Sequence, residues 1–422
     1  MRFTKKYARF SLILMLSLTC TILKAQNITS PYSILGIGDV DTKDYGRYAA
    51  SGNAAVSRRD ATSYNFSNPA SLTALPLKVL FFDISMRGKY STYKSIVKDT
   101  SAKSAKDFIV KRISLAFKLT DKTAIAFGLK PYSSVNYNLQ QEAVFLDGNN
   151  SYSKLIEGNG GINQVYFSTG LTLNKRISVG LTSSWLFGSL EKTTEYTNSS
   201  ISLDILKKET DFYTGASIQF GMQYQTLKEN IWKHQIGLTG SVSSNLKGEL
   251  ITEYTDETGL IKKEVDRNRK FYMPTTIAIG YTATKDKKLN LSIEAAYYHW
   301  KYQKVNYENS YTYPSLRLSA GMDYSFQKHN WDNSRYEKGY IAFGLSAENS
   351  YLRVKNEKLM DYSFSFGGGI NLYKRISVFT SIEIGKRGSV SSGQLEENYT
   401  QFIAGFTLKD IWSGTKKYGR FH

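Results

Sequence analysis

The chain has 422 residues, 14% of them aromatic, with 31 tyrosines against 6 prolines and a mean hydropathy of -0.36. No apolar stretch long enough for a spanning helix follows the N-terminus, so a helical membrane protein is excluded, while abundant Tyr and Phe with scarce Pro favour strands. The formal net charge is +19, which raises nucleic-acid binding, but Lys and Arg are scattered among the breaks without a basic helix or a known nucleic-acid motif.

The first 25 residues read as a secretory signal. Arg2, Lys5, Lys6 and Arg9 precede an apolar run from Phe10 to Leu23, and small Ala25 marks a cleavage point before Gln26. The alternative is a lipoprotein anchored through Cys20, although Thr19 before it is bulkier than that processing favours. Cleavage after Ala25 leaves a chain without cysteine, and therefore without disulfide or thiol chemistry. Removing the five basic residues of the leader lowers the charge from +19 to +14, a balance that suits contacts with lipid phosphate.

Residues 26–76 are rich in Gly, Ser, Asn and Ala and lack sustained alternation. From Leu77 to Trp412 one rhythm takes over: segments of ten to fifteen residues, apolar at every second position, separated by polar breaks. Leu80, Phe82, Ile84 and Met86 share one face of the first segment. Ile113, Leu115, Phe117 and Leu119 share one face of the second, opposite Arg112 and Lys118. Similar runs recur to Phe402, Ala404, Phe406 and Leu408, about fourteen in all, with those at 231–245 and 272–283 alternating poorly. Period two marks strands, and about ten alternating residues between turns mark a transmembrane barrel. The breaks alternate too: short at Thr120–Lys122, Asn174–Arg176 and Tyr373-Lys374, long and polar at 138–160, 190–210, 246–270 and 388–398. Short periplasmic turns and long extracellular loops have this parity.

A basic side chain facing lipid at mid-membrane costs about 2–4 kcal/mol. Arg112, Glu294, Arg317, Asp323 and Glu383 are therefore expected to point inward. A lumen of this size leaks unless filled, and residues 26–76 are the natural plug, with Arg58-Arg59-Asp60 pairing to inward carboxylates such as Glu294 or Glu383; a periplasmic leader is the alternative. The expected organisation is thus a signal at 1–25, a plug at 26–76, a barrel at 77–412 and a periplasmic tail at 413–422.

The run Gly46-Arg47-Tyr48-Ala49-Ala50-Ser51-Gly52-Asn53-Ala54-Ala55, then Asn68-Pro69-Ala70 just before the first strand, resembles the hatch of the outer-membrane long-chain fatty-acid transporters, the FadL-like barrels. Gly158, Gly160 and Gly161 opening one strand, Glu397-Asn398-Tyr399 entering the last, and Phe406 to Trp412 closing it agree with that family. The resemblance implies an all-β barrel of fourteen strands with an internal hatch, moving hydrophobic molecules or fatty acids inward without an energy source. It also implies a kink in the third strand that opens a lateral exit. Gly128 and Pro131 fit that kink, since glycine weakens a ladder and proline cannot donate to one; otherwise Pro131 lies at the strand's outer end.

The functional reading is an outer-membrane transport protein, with Asn68, Pro69 and Ala70 in the hatch, Gly128 and Pro131 at the gate, and Arg112 or Arg317 meeting an acidic head group. The alternative is a sealed barrel serving as a subunit of a secretion or surface-assembly complex with a protein partner. His234, His299 and His329 are scattered without metal-ligand spacing, and no phosphate loop or cofactor motif occurs. Neither an enzyme nor a cofactor is expected.

Overall fold

The structure is a computed structural model describing residues 30–94, 104–144, 151–198, 203–227, 231–305, 310–329, 335–354, 357–372 and 375–411. The leader with Cys20, the break at Tyr373-Lys374, Trp412 and the tail lie outside the described residues.

Fourteen strands close into one antiparallel barrel. In chain order they are β1 (Val79–Lys94), β2 (Ser104–Lys118), β3 (Thr123–Val144), β4 (Ser151–Thr172), β5 (Ile177–Asn198) and β6 (Leu203–Gln225). β7 joins Trp232–Ser243 to Leu246–Asp256, and β8 joins Gly259–Phe271 to Thr275–Lys285. β9 (Leu289–His299), β10 (Ser310–Thr312 with Ser315–His329), β11 (Arg335–Val354), β12 (Glu357–Leu372), β13 (Ile376–Arg387) and β14 (Glu396–Ile411) complete the ring. β14 pairs back onto β1 from Ile411↔Val79 to Glu396↔Lys94, so the closing seam is continuous. The interruptions of β7 and β8 fall in the two segments of poor alternation; Pro274, which has no amide hydrogen to donate, sits in the β8 break.

Burial is inverted relative to a water-soluble protein. Phe127, Phe167, Leu171, Ile279, Ile293, Leu318, Phe343, Phe366 and Phe402 are exposed on the outer face, while Arg112, Glu294, Arg317, Asp323 and Glu383 are buried. The apolar side chains face lipid, and closing the sheet into a ring pairs backbone groups that hydrocarbon cannot satisfy.

The long polar stretches behave differently from expectation. Residues 138–144, 151–160, 190–198, 203–210, 246–256 and 259–271 are strand rather than loop. β3, β4 and β5 each run 22 residues. At about 3.3 Å per residue and a tilt of about 40°, such a strand rises about 55 Å, roughly twice the ~25 Å apolar band of a barrel. Their outer halves therefore stand clear of the membrane, where no lipid selects apolar residues for the outward face.

Residues 30–75 pack against residues of many of the strands. Tyr32, Ile34, Leu35 and Ile37 pack with Val135, Tyr137, Ile162, Leu186, Tyr213, Phe271, Trp300, Tyr351 and Leu352, forming an apolar core in the outer half of the lumen. Toward the end of the ring that bears the turn at 119–122, Leu72, Leu75 and Tyr64 pack on Phe81, Ala116, Ala124, Ala126 and Tyr166.

Candidate functional site

The layer between those two apolar cores is held by charge. Asp39 pairs with Arg387 at 2.6 Å, Asp41 with Lys111 at 2.7 Å and Lys43 with Glu383 at 2.6 Å. Arg47 pairs with Glu337 at 2.5 Å and Arg58 with Asp323 at 2.6 Å. Arg58 thus chooses Asp323, not the expected Glu294 or Glu383, while Arg59 donates to the Ser178 hydroxyl at 2.6 Å. Glu294 instead clamps backbone. Its Oε2 accepts from the amides of Ala55 and Val56, both at 2.8 Å, and its Oε1 pairs with Arg317 at 2.7 Å. Within the luminal segment, burial pushes the Asp60 carboxyl up, but Arg58 and Arg47 outweigh it and hold the group down to about 2. Burial lowers the Lys43 pKa, but Glu383, Asp361 and Glu348 together raise it by more, so it stays charged.

The backbone of the segment is received by glycines. Gly170 on β4 pairs with Gly180 on β5, which pairs with Gly221 on β6; Gly237 on β7 pairs with Gly280 on β8, and Gly321 on β10 with Gly344 on β11. A methyl at Gly180 would stand 2.5 Å from the Pro69 carbonyl carbon, one at Gly280 3.0 Å from the Ser57 nitrogen, and one at Gly344 would fall on the Gly52 nitrogen. These lumen-facing glycines are a signal that the sequence carries in plain view, one per strand on the polar face, but nothing in the chain says which backbone approaches them.

Asn68 is fully buried and caps the short 3-10 helix Pro69–Ala74, accepting from Ala70 N at 3.0 Å; its amide donates to Val56 O at 2.9 Å. Pro69 lies against Gly170, Gly180 and Gly221, and Ala70 is buried beside it. Asn68, Pro69 and Ala70 therefore join the two halves of the luminal segment to β4, β5 and β6.

Gly128 and Pro131 lie on β3 where the ring is least complete. The β2–β3 ladder runs only from Lys118↔Ala124 to Ile113↔Leu129. Beyond it β2 continues to Ser104 paired with β1 alone, and β3 runs to Val144 paired with β4 on its other side. Gly128 pairs with Ser114 at that limit, and a bulge follows Pro131 on the β4 side. On the β2 side Lys111 is the extra residue of a second bulge, between the pairs Ser85↔Arg112 and Met86↔Val110. The luminal segment covers the gap from within: Val40 and Asp39 pair with Ser133 and Ser134, and Asp41 N donates to Tyr132 O at 2.9 Å.

Both arginines assigned to an acidic head group already hold partners within the protein, leaving the Nε of Arg317 without one. Arg112 donates to Asp83 at 2.7 and 3.0 Å and to Asp44, and Arg317 donates to Glu294 and to the Thr42 carbonyl. Next to them is a cavity of about 160 Å³ between the luminal segment and β3–β10, with Phe66, Tyr132, Tyr298 and Trp300 on its walls. Lys130 lines it and sits 4.4 Å over the Phe66 ring. Sequence reasoning misses this lysine; its one sign is that it immediately precedes Pro131. His299 stacks obliquely on Tyr297, His234 bonds Tyr281 and His329 meets Arg335, all toward the outside. No group of three His, Cys, Asp or Glu among the described residues could hold a metal ion.

The fourteen-strand antiparallel ring defines a closed β-barrel, and solved structures share that fold. The chain is similar to CymD, described as a monoaromatic hydrocarbon channel (TM-score 0.57, 11% identity, 89% of this chain and 98% of that one). It is likewise similar to a Pseudomonas aeruginosa FadL homologue (TM-score 0.57, 9% identity, 90% and 100%) and to the Pseudomonas putida toluene transporter TodX (TM-score 0.56, 15% identity, 90% and 100%). At such identities the likeness is one of fold. The defining pattern of the BamG family matches residues 5–419, and the chain belongs to that family. No curated protein matches it. The resemblance to the fatty-acid transporters therefore holds at the level of fold, and the family is BamG.

Proposed function

We propose that this protein is an outer-membrane barrel that takes up small hydrophobic or amphipathic molecules and releases them sideways into the bilayer between β2 and β3. The carrying observation is the incomplete ladder. β2 and β3 pair for only the six positions between Ile113 and Lys118, whereas the closing seam between β14 and β1 is laddered from Val79 to Lys94. Pro131 cannot donate across the gap, and residues Asp39 to Asp41 cover it from within through the Asp39–Val40 pairing, the Asp41 amide and the Asp41–Lys111 ion pair. Residues 30–75 act as the hatch, and Asp39 to Asp41 form its movable edge. The names given to CymD and TodX, a hydrocarbon channel and a toluene transporter, agree with a small apolar cargo. Pro131→Val restores a donor and favours β-structure, so the ladder should extend and uptake into proteoliposomes of a fluorescent apolar probe should fall at least tenfold. Uptake equal to that of the unaltered protein refutes the lateral route.

A second reading is favoured by the fastening of the hatch. Six ion pairs and a row of glycines seat residues 39–69, and the cavities described inside the lumen reach only about 200 Å³. In this reading the barrel is sealed and serves as a subunit of a surface or secretion assembly, with the β3–β8 wall above the membrane as its docking face. A stoichiometric protein partner in mild detergent, together with no uptake by the isolated barrel, selects it.

A further inference from the structure

The cavity beside the β2–β3 gap is bordered by buried polar groups that have no partner among the described residues. Lys130 is 7% exposed, and no hydrogen bond or ion pair joins its ammonium to a described residue. Two further lining residues carry orphaned buried atoms: Arg317 Nε and Asp44 Oδ2 have no partner. Each such group costs about 1–3 kcal/mol if left unpaired, more when charged. The chain nevertheless places two of them, with the Lys130 ammonium, around one space and gives that space aromatic walls in Phe66, Tyr132, Tyr298 and Trp300. A water cluster would satisfy the polar groups but has no use for four aromatic rings. A hydrocarbon would satisfy the rings and leave the charges stranded. A flat molecule with a polar edge satisfies both.

From this we infer that the cavity is a binding site for a small aromatic acid, whose carboxylate pairs with Lys130 and takes the free Nε–H of Arg317. A hydroxyl on the ring is the group that Asp44 Oδ2 would accept from. Size limits the ligand: an apolar cavity of about 150 Å³ holds one benzene ring, so about 160 Å³ admits one ring with a short substituent and excludes a long acyl chain. The position also matters. Lys130 and Tyr132 flank Pro131, the residue at the open edge of β3, so the bound molecule lies directly behind the gap. The inference concerns binding within the lumen and stands whether or not the molecule then leaves sideways.

The test is equilibrium binding of benzoate, 4-hydroxybenzoate and toluene to the purified full-length protein in detergent, followed by calorimetry and by ligand NMR. Saturable binding of benzoate is expected, tighter binding of 4-hydroxybenzoate, and a loss of at least tenfold in Lys130→Met with Lys130→Arg retaining most of the affinity. Unaltered heat-modifiable migration of both variants on gels shows that the barrel still folds. Benzoate binding that ignores Lys130→Met, toluene binding that exceeds benzoate, or no saturable binding of any acid because water alone fills the space, each overturns the inference. A protein that binds benzoate but fails the uptake assay leaves the site intact and removes only the lateral route.

Discussion

Glu294→Ala is the most informative single perturbation of the luminal segment. Glu294 is 5% exposed and makes three contacts at once: the amides of Ala55 and Val56 at 2.8 Å and Arg317 at 2.7 Å. Removing one partner of a buried ion pair costs about 3–5 kcal/mol, and a buried amide left without an acceptor costs about 1–3 kcal/mol. The three contacts share one carboxylate, so the penalties are coupled and do not add. A loss of about 5 kcal/mol is the reasonable sum, equivalent to a factor of several thousand in the balance between seated and unseated segment. The ring itself should survive, because Glu294 faces the lumen and its strand is paired on both sides along its length. The assay has two readouts. In planar bilayers the variant should show discrete openings where the unaltered protein is quiet, and trypsin should cut after Arg58 or Arg59 in folded barrels. Glu294→Gln keeps one acceptor oxygen and should fall between the two. A Glu294→Ala barrel that is as quiet and as trypsin-resistant as the unaltered one refutes the view that this carboxylate clamps the segment.

Three further outcomes follow from the same geometry. Gly344→Val should sharply lower the yield of heat-modifiable barrel, since its side chain would fall on the backbone of Ser51 and Gly52, whereas Gly240→Val, whose Cβ would meet only the Thr276 carbonyl at 3.9 Å, should leave the yield unchanged. Asp41→Ala removes the partner of Lys111 and loosens the cover over the gap, so amide exchange at Ser133 and Ser134 should accelerate by at least tenfold while that of β13 does not change. Asp60, held at about 2 against an ordinary 3.8, contributes stability that is fully present above pH 4 and is lost as the pH falls through 2. With a quarter of its side chain still reached by solvent, the contribution is about 1–2 kcal/mol. Tryptic or peptic sensitivity of the luminal segment should therefore be flat from pH 8 to 5 and rise between pH 4 and 2, a rise that Asp60→Asn removes.

Much of the architecture is legible in the chain because lipid imposes a simple rule. Every position facing hydrocarbon must be apolar, so Phe127, Phe167, Ile293 and Phe402 alternate with lumen residues and the fourteen strands announce themselves. The same rule places Arg112, Glu294, Arg317, Asp323 and Glu383 inside before any partner is known. Where lipid ends, the rule ends with it. The outer halves of β3 to β8 have water on one side and the segment's apolar residues on the other, so stretches such as 190–210 and 246–270 carry little period-two signal and read as loops. Partnership is also undetermined by the chain. Arg58 meets Asp323 and Lys43 meets Glu383 because three-dimensional closure brings residues 265 and 340 positions apart into one layer. Local alternation sets which way a side chain points, but only the closed ring with its segment threaded inside sets what it meets, and the site at Lys130 exists only at that second level.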